Sequence, residues 1–325
     1  MSLETEKLSV ARARHDKKRA EHVKTVARAK AVGQGTATMA QTAEAYLVDV
    51  ENRVGIKPTT VHYYRQVVAT ILETWPELKI KQPKDITKSA CHKWAKDYAS
   101  RYTATRYNNA VDVLRRIFQS AIDQGAIYSN PADDLDKRSP SKKMLELPSK
   151  EKFEQLVIDI AKQGSWCSLQ CSDLVKFLAY SGCRIDEARN IKWKDVTKNG
   201  VWIHGGKDGT KNSESRLVPI NTKLGELLAD LRANPRFYRG DRGHHVLAVT
   251  ECSFALKNAC QRLGIKHMTH HDLRHLFATR CIELGVDIPT VSRWLGHRDG
   301  GALAMRTYGH LRDEHSQAVA AKLEF

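Results

Sequence analysis

The sequence predicts a mainly α-helical protein of two globular domains, the second interrupted by a small β-hairpin or sheet. Three observations predict it. Apolar residues recur at spacings of three and four over most of the chain. Two short β-rich runs, Val201-Trp202-Ile203-His204 and Arg216-Leu217-Val218-Pro219-Ile220, flank a Gly/Lys/Asn/Ser turn region, and a segment rich in Pro, Ser and charge near residue 140 separates two helical regions. At 325 residues and 41% hydrophobic content, the chain carries more apolar material than one core usually holds.

Residues 1–36 contain nine Lys or Arg against four Asp or Glu and little apolar periodicity, so they read as a flexible basic arm that stops at Gly33 and Gly35. A solvated tail and a nucleic-acid-binding arm fit it equally. Residues 37–136 hold four helical patterns. Ala43, Tyr46, Leu47, Val50 and Val54 mark the first; Val61, Tyr64, Val68, Ile71, Leu72 and Trp75 the second, behind Pro58. Ala90, Trp94 and Tyr98 mark a third behind Thr87, and Tyr107, Ala110, Val111, Leu114, Ile117, Phe118, Ala121 and Ile122 a fourth that ends at Gly125. Residues 137–150, starting Lys137-Arg138-Ser139-Pro140, read as a linker. Residues 151–325 form the second domain, with a tail over 311–325 in which Ala318, Val319 and Leu323 keep helical spacing. No repeat at solenoid periods occurs.

The 53 Lys and Arg against 37 Asp and Glu leave a net charge of +16. That excess points to a polyanionic partner, nucleic acid before an anionic membrane. No run approaches the roughly 18 to 20 apolar residues that span a bilayer, and residues 1–30 lack an apolar signal core, so the expectation is a soluble, non-secreted protein. Seven cysteines without paired spacing suggest free thiols in a reducing compartment. Cys167 and Cys171 lie closest in sequence, but no neighbouring Cys or His completes a zinc set.

Three segments of the second domain carry groups suited to chemistry. In Ser181-Gly182-Cys183-Arg184-Ile185-Asp186-Glu187 an apolar helix stops at a Ser-Gly turn and another begins. Arg184 then sits at a helix N-terminus, a natural anion site, with Glu187 one turn on to hold its guanidinium. In Thr269-His270-His271-Asp272-Leu273-Arg274-His275, Thr269 and Asp272 fit a capping box. His271 and Arg274 then share one face, with Leu273, Leu276 and Phe277 toward the core. Three His in six residues invite a metal reading, but no carboxylate or Cys recurs at the spacing of a zinc-binding helix. The third segment is Leu295-Gly296-His297, followed by Tyr308-Gly309-His310.

These segments, SGCRIDE, TKNSESRLVP, HDLRH, LGH and YGH in that order, resemble the tyrosine recombinase (phage integrase) family over nearly the whole second domain. The ending Gly125-Ala126-Ile127 and Asn130-Pro131 is similar to the close of the family's core-binding domain. Six catalytic positions matching in order, each at about one chance in twenty, make coincidence remote. The hairpin Lys of the family lies eight residues before the closing Pro, which selects Lys211 over Lys207. Two features depart from the pattern: His297 and Tyr308 are eleven residues apart where nine is usual, and Cys183 stands where the family has small or polar residues.

The resemblance implies a two-domain clamp around duplex DNA and a catalytic set of Arg184, Lys211, His271, Arg274, His297 and Tyr308, with Glu187 in support. Tyr308 would attack phosphorus to give a 3′-phosphotyrosine, and Arg184 and Arg274 would hold the nonbridging oxygens. Lys211 would protonate the leaving 5′-oxygen. His271 would accept the tyrosyl proton or orient the phosphate, and His297 would hydrogen-bond a nonbridging oxygen. Lys137, Arg138, Lys142 and Lys143 would contact the DNA backbone. It further implies no cofactor, no metal and no ATP, a homotetramer on two DNA sites, an accessory directionality factor, no membrane, and a cytoplasmic, nucleoid-associated location. A type IB topoisomerase and a catalytically silent DNA-binding relative are the alternatives.

Overall fold

The computed structural model describes residues 37–140, 146–204, 215–236 and 243–297, with the isolated positions Ala302 and Met305. The basic arm, Lys142, Lys143, Lys207, Lys211, Tyr308 and the tail over 311–325 lie outside the described residues. The chain divides into two compact units between Lys143 and Met144.

Among the described residues, four α-helices build the first unit: α1 (Met39–Glu51), α2 (Pro58–Thr74), α3 (Lys88–Arg101) and α4 (Ala104–Asp123). Thr38, Thr87 and Thr103 each accept a hydrogen bond from the backbone N–H three residues on, satisfying a donor that the helix leaves unpaired. Pro58 starts α2, where its missing N–H costs nothing. The apolar face of α4, Tyr107 through Ala121 at spacings of three and four, is buried in the centre of this unit. Trp75 and Trp94 stack with centroids 5.6 Å apart, and the Trp94 indole donates to Thr74 Oγ1 at 3.2 Å. Val54 departs from the expected pattern: α1 ends at Glu51, and Val54 lies beyond it, fully exposed.

The segment after α4 folds back along that helix. Buried Asn130 donates to Arg115 O at 3.0 Å and accepts from Ala132 N–H at 3.0 Å, while Arg115 donates to Ala132 O at 3.0 Å and Asp133 O at 2.9 Å. The same attachment covers the start of the expected linker. Lys137 pairs with Asp112 at 2.9 Å, and Arg138 donates to Ala99 O at 2.6 Å and lies over the Tyr107 ring. Residues 137 and 138 are therefore anchored to the helical unit rather than spanning freely, because α3 and α4 offer them a carbonyl end, a carboxylate and an aromatic face.

The second unit is organised around α6 (Ser168–Ser181), which carries Leu174, Val175, Phe177 and Leu178 and is buried on nearly every side. Packed against it are α5 (Lys150–Ala161), α8 (Thr222–Ala233), α9 (Ser253–Arg262) and α10 (His270–Glu283). Its buried carboxylate, Asp173, is matched by Arg236 at 2.8 Å and Lys176 at 3.0 Å. A short helix, α7 (Ile185–Ala188), leads into a three-stranded antiparallel sheet of β1 (Val196–Thr197), β2 (Gly200–Ile203) and β3 (Arg216–Val218). The β2–β3 pair is the hairpin expected from the sequence, in a register that sets Val201 opposite Val218. Val201, Ile203 and Val218 point to the core and Trp202 points out. The two-residue β1 has no sequence signal of its own; it is a strand only because β2 lies beside it. Helix α11 (Ile288–Leu295) follows, capped by Asp287. Among the described residues no helix is long and apolar enough to cross a membrane.

Removing the ring of Phe177, which is wholly buried, leaves a cavity in the middle of this unit. Phe177→Ala is expected to lower unfolding free energy by about 3–5 kcal/mol, read as a reduced urea midpoint.

Candidate active site

α6 ends on Gly182, whose φ of +66° is the left-handed conformation that lets the chain reverse. A Cβ there would collide with Phe277 Cδ1, so packing against α10 also demands glycine. The reversal delivers Arg184 to the N-cap of α7. Its backbone N–H donates to Glu187 Oε2 at 2.9 Å and its Nη1 to Glu187 Oε1 at 2.9 Å, as an arginine at a helix start with an acid three residues on suggests. Cys183 points the other way, into the core, where burial pushes its thiol up to about 11. It is a packing residue.

Glu187 is the hub of the site. Its carboxylate is buried and takes a second arginine, Arg216 from β3, with Nη1 to Oε1 at 3.1 Å and Nη2 to Oε2 at 2.6 Å. Burial alone would push the Glu187 carboxyl up, but the hydrogen bonds and charges of Arg216 and Arg184 outweigh it and hold it below the usual carboxylate range. Arg216 extends the network, donating from Nε to Trp294 O at 2.7 Å. The next turn, Gly296, has φ +69° and fits against the same guanidinium: a Cβ would lie 2.9 Å from Arg216 Nη1. The glycine of the LGH motif is thus required by the arginine beneath it. Nothing in the sequence reading singled out Arg216; an arginine that begins a core-facing strand was the available signal.

Arg274, one turn into α10, is buried and donates from Nη1 to Gly182 O at 2.8 Å and from Nη2 to Leu295 O at 2.6 Å. It ties the SGCR turn to the end of α11. Burial, then the like charge of Arg184, draws its pKa down to about 10, so it remains charged at neutral pH. Thr269 and Asp272 form the expected capping box, which fixes where α10 begins. His271 projects from that first turn, exposed on one side and edge-on to the His275 ring at 4.5 Å. Protein around the ring removes water, and Arg274 and Arg184 add positive charge, so its pKa lies below that of a free histidine. His270 faces elsewhere, with Nε2 3.2 Å from both Cys252 Sγ and Glu251 Oε1. His297 follows Gly296, half-buried, with its backbone N–H donated to Ser292 O at 3.1 Å.

Four pieces far apart in sequence therefore meet: the turn after α6, the start of β3, the first turn of α10 and the end of α11. Arg184, Glu187, His271 and Arg274 gather there, and the turn that carries His297 is bonded to them. Three guanidiniums face one carboxylate, which leaves a net positive site suited to an oxyanion.

The sequence model of the phage integrase family matches residues 149–315, half of the chain. The chain belongs to that family and is a tyrosine recombinase, an enzyme of site-specific DNA recombination. Similar proteins include the tyrosine recombinase XerD of Lacticaseibacillus casei, 26% identical over 293 residues that cover 85% of this chain and 95% of that protein. XerA of Thermococcus onnurineus is 28% identical over 295 residues, covering 85% and 93%, and XerC of Yersinia pestis 24% identical over 310 residues, covering 87% and 94%. A lambda integrase tetramer bound to a Holliday junction shares the fold with a TM-score of 0.68 at 18% identity, over 83% of this chain and 80% of that one. The Tn1549 transposon integrase in complex with a circular intermediate DNA does so with a TM-score of 0.65 at 16% identity, over 86% and 99%.

The lowered pKa of His271 has a measurable sign. The unfolded chain, with a histidine pKa near 6.5, binds this proton before the folded protein does, so the contribution is complete above that pH. It is lost as pH falls from there through the folded value. A histidine-resolved NMR titration is expected to place the His271 midpoint below that of a free histidine, and Arg274→Met to move it upward.

Proposed function

We propose that this protein cuts and rejoins duplex DNA at specific sites through a covalent 3′-phosphotyrosine on Tyr308, with neither metal nor ATP. The observation that supports this most is the electropositive cluster of Arg184, Arg274 and Arg216 around Glu187, in a unit that the family match spans. Phosphodiester transfer requires a nucleophile, charge neutralisation on the phosphate and a proton for the leaving oxygen. The Tyr308 oxygen attacks phosphorus as its phenolic proton passes to His271, which burial and the charges of Arg274 and Arg184 keep neutral and able to accept. Arg184 and Arg274 bind the nonbridging oxygens, and His297 donates a further hydrogen bond. The bond from phosphorus to the 5′-oxygen breaks, and Lys211 supplies the proton that makes a 5′-hydroxyl. The phosphotyrosine conserves the energy of the broken bond, so a 5′-hydroxyl from a second strand reverses the step and exchanges the partners.

Around this chemistry both units bind duplex DNA, with Lys137, Arg138, Lys142 and Lys143 contacting its backbone. The protein acts as a homotetramer on two DNA sites, as the lambda integrase tetramer on a Holliday junction suggests by analogy. The tail over 311–325 packs on a neighbouring protomer. The biological role is integration and excision of a mobile element, with an accessory directionality factor, or resolution of a chromosome or plasmid.

Tyr308→Phe is expected to abolish covalent adducts on a nicked suicide substrate while DNA binding in a gel-shift assay persists; adducts from that variant would remove Tyr308 from the role. Lys211→Ala is expected to slow cleavage by about 10²- to 10⁴-fold. A 5′-bridging phosphorothiolate, whose leaving group needs no proton, is expected to restore the rate. Lack of rescue would move the general acid to Lys207 or another group.

A further inference from the structure

We infer that Arg216 is a positioning residue for phosphoryl transfer, acting through the shared Glu187 carboxylate to keep Arg184 available to the phosphate. The inference rests on the reading of Arg184 as a phosphate clamp. The two arginines occupy unlike environments. The Arg216 side chain is 8% exposed and that of Glu187 1%, whereas Arg184 is 26% exposed. Arg216 is sealed beneath the site. Arg184 is the member of the trio that reaches out.

The hydrogen bonds divide accordingly. Arg216 spans both carboxylate oxygens and also holds Trp294 O, three directed bonds from one planar fork. Arg184 gives Glu187 one Nη donor and its backbone N–H. With both arginines present, one negative charge is shared between two positive ones, and Arg184 keeps electrostatic capacity for an anion. Without Arg216 the buried carboxylate has Arg184 as its remaining ion-pair partner, a one-to-one pair with no net charge. The same loss leaves Trp294 O without this donor and opens space beside Gly296, the residue before His297. Arg216 therefore sets both the charge and the placement of Arg184 while supporting the neighbouring turn.

The test uses the full-length protein and single-turnover cleavage of a suicide substrate that carries either the normal phosphate or a neutral methylphosphonate at the scissile position. Arg216→Gln is expected to cleave the phosphate about 100-fold more slowly than wild type, with DNA affinity unchanged. The deficit is expected to shrink severalfold or more on the methylphosphonate, which has no nonbridging charge for Arg184 to neutralise. Adding Glu187→Gln to Arg216→Gln is expected to recover part of the lost rate on the phosphate, because Arg184 is no longer neutralised by the carboxylate. An equal deficit on both substrates, as a general packing defect would give, overturns the inference. If Arg216→Gln does not fold, Arg216→Lys carries the comparison, since it keeps the charge and loses the fork; the same substrate dependence at smaller amplitude supports the inference and its absence overturns it. Wild-type protein that forms no covalent adduct would overturn the reading of the site and this inference with it.

Discussion

The catalytic unit depends on one buried carboxylate. Glu187 lies where bare burial would neutralise it, and it stays ionised because Arg216 and Arg184 surround it with directed donors. A buried charge of this kind is costly unless every lone pair is used, and both of its oxygens accept from both arginines. In satisfying Glu187, the protein joins α7, β3 and, through Trp294 O, the end of α11. Arg274 closes the ring from the other side by bonding the carbonyls of Gly182 and Leu295. The result is a rigid frame of helix ends and one strand end, with backbone carbonyls absorbing part of the donor capacity.

That frame also explains the two glycines. Gly182 and Gly296 are both left-handed helix-terminating residues, and each has a side chain where its Cβ would be, Phe277 in one case and Arg216 in the other. Glycine is demanded twice over, by φ and by space. The turns are tight because the arginines that read their carbonyls or lie under them need a close approach. Charge follows the same geometry: two guanidiniums share one carboxylate and a third, Arg274, lies beside them on carbonyls, so burial and this surplus of positive charge together lower the pKa of the neighbouring His271. The cluster that makes this region electropositive is thus the one that favours the neutral form of the histidine beside it.

Much of the fold was legible from periodicity. The four helices of the first unit, the buried face of α4, the capping box at Thr269 and the β2–β3 pair all follow from apolar spacing and local hydrogen-bonding chemistry, which operate within a few residues. Val54 was misplaced, and the start of the linker is attached to the first unit, for a common reason. Apolar spacing continued past a helix that had already ended at Glu51, and a segment that looks like a linker by composition was captured by Asp112, Ala99 and Tyr107, partners that composition does not display. Arg216 went unnoticed because an arginine at the head of a strand is ordinarily an exposed residue.

The sequence by itself determined the helical character, the division into two units, the order of the motifs and the chemical types of the groups in them. Those properties are local, set by backbone propensity, side-chain chemistry and spacing along the chain. Only the tertiary structure decided that Glu187 serves two arginines, that Arg274 spends donors on Gly182 and Leu295, and that His271 lies under the charge of Arg274 and Arg184 while its neighbour His270 turns to Cys252 and Glu251. The bonds by which Arg216 and Arg274 join these elements span 21 to 92 positions of sequence. Their charges and hydrogen bonds depend on distance and burial in the folded chain, quantities that no local pattern encodes.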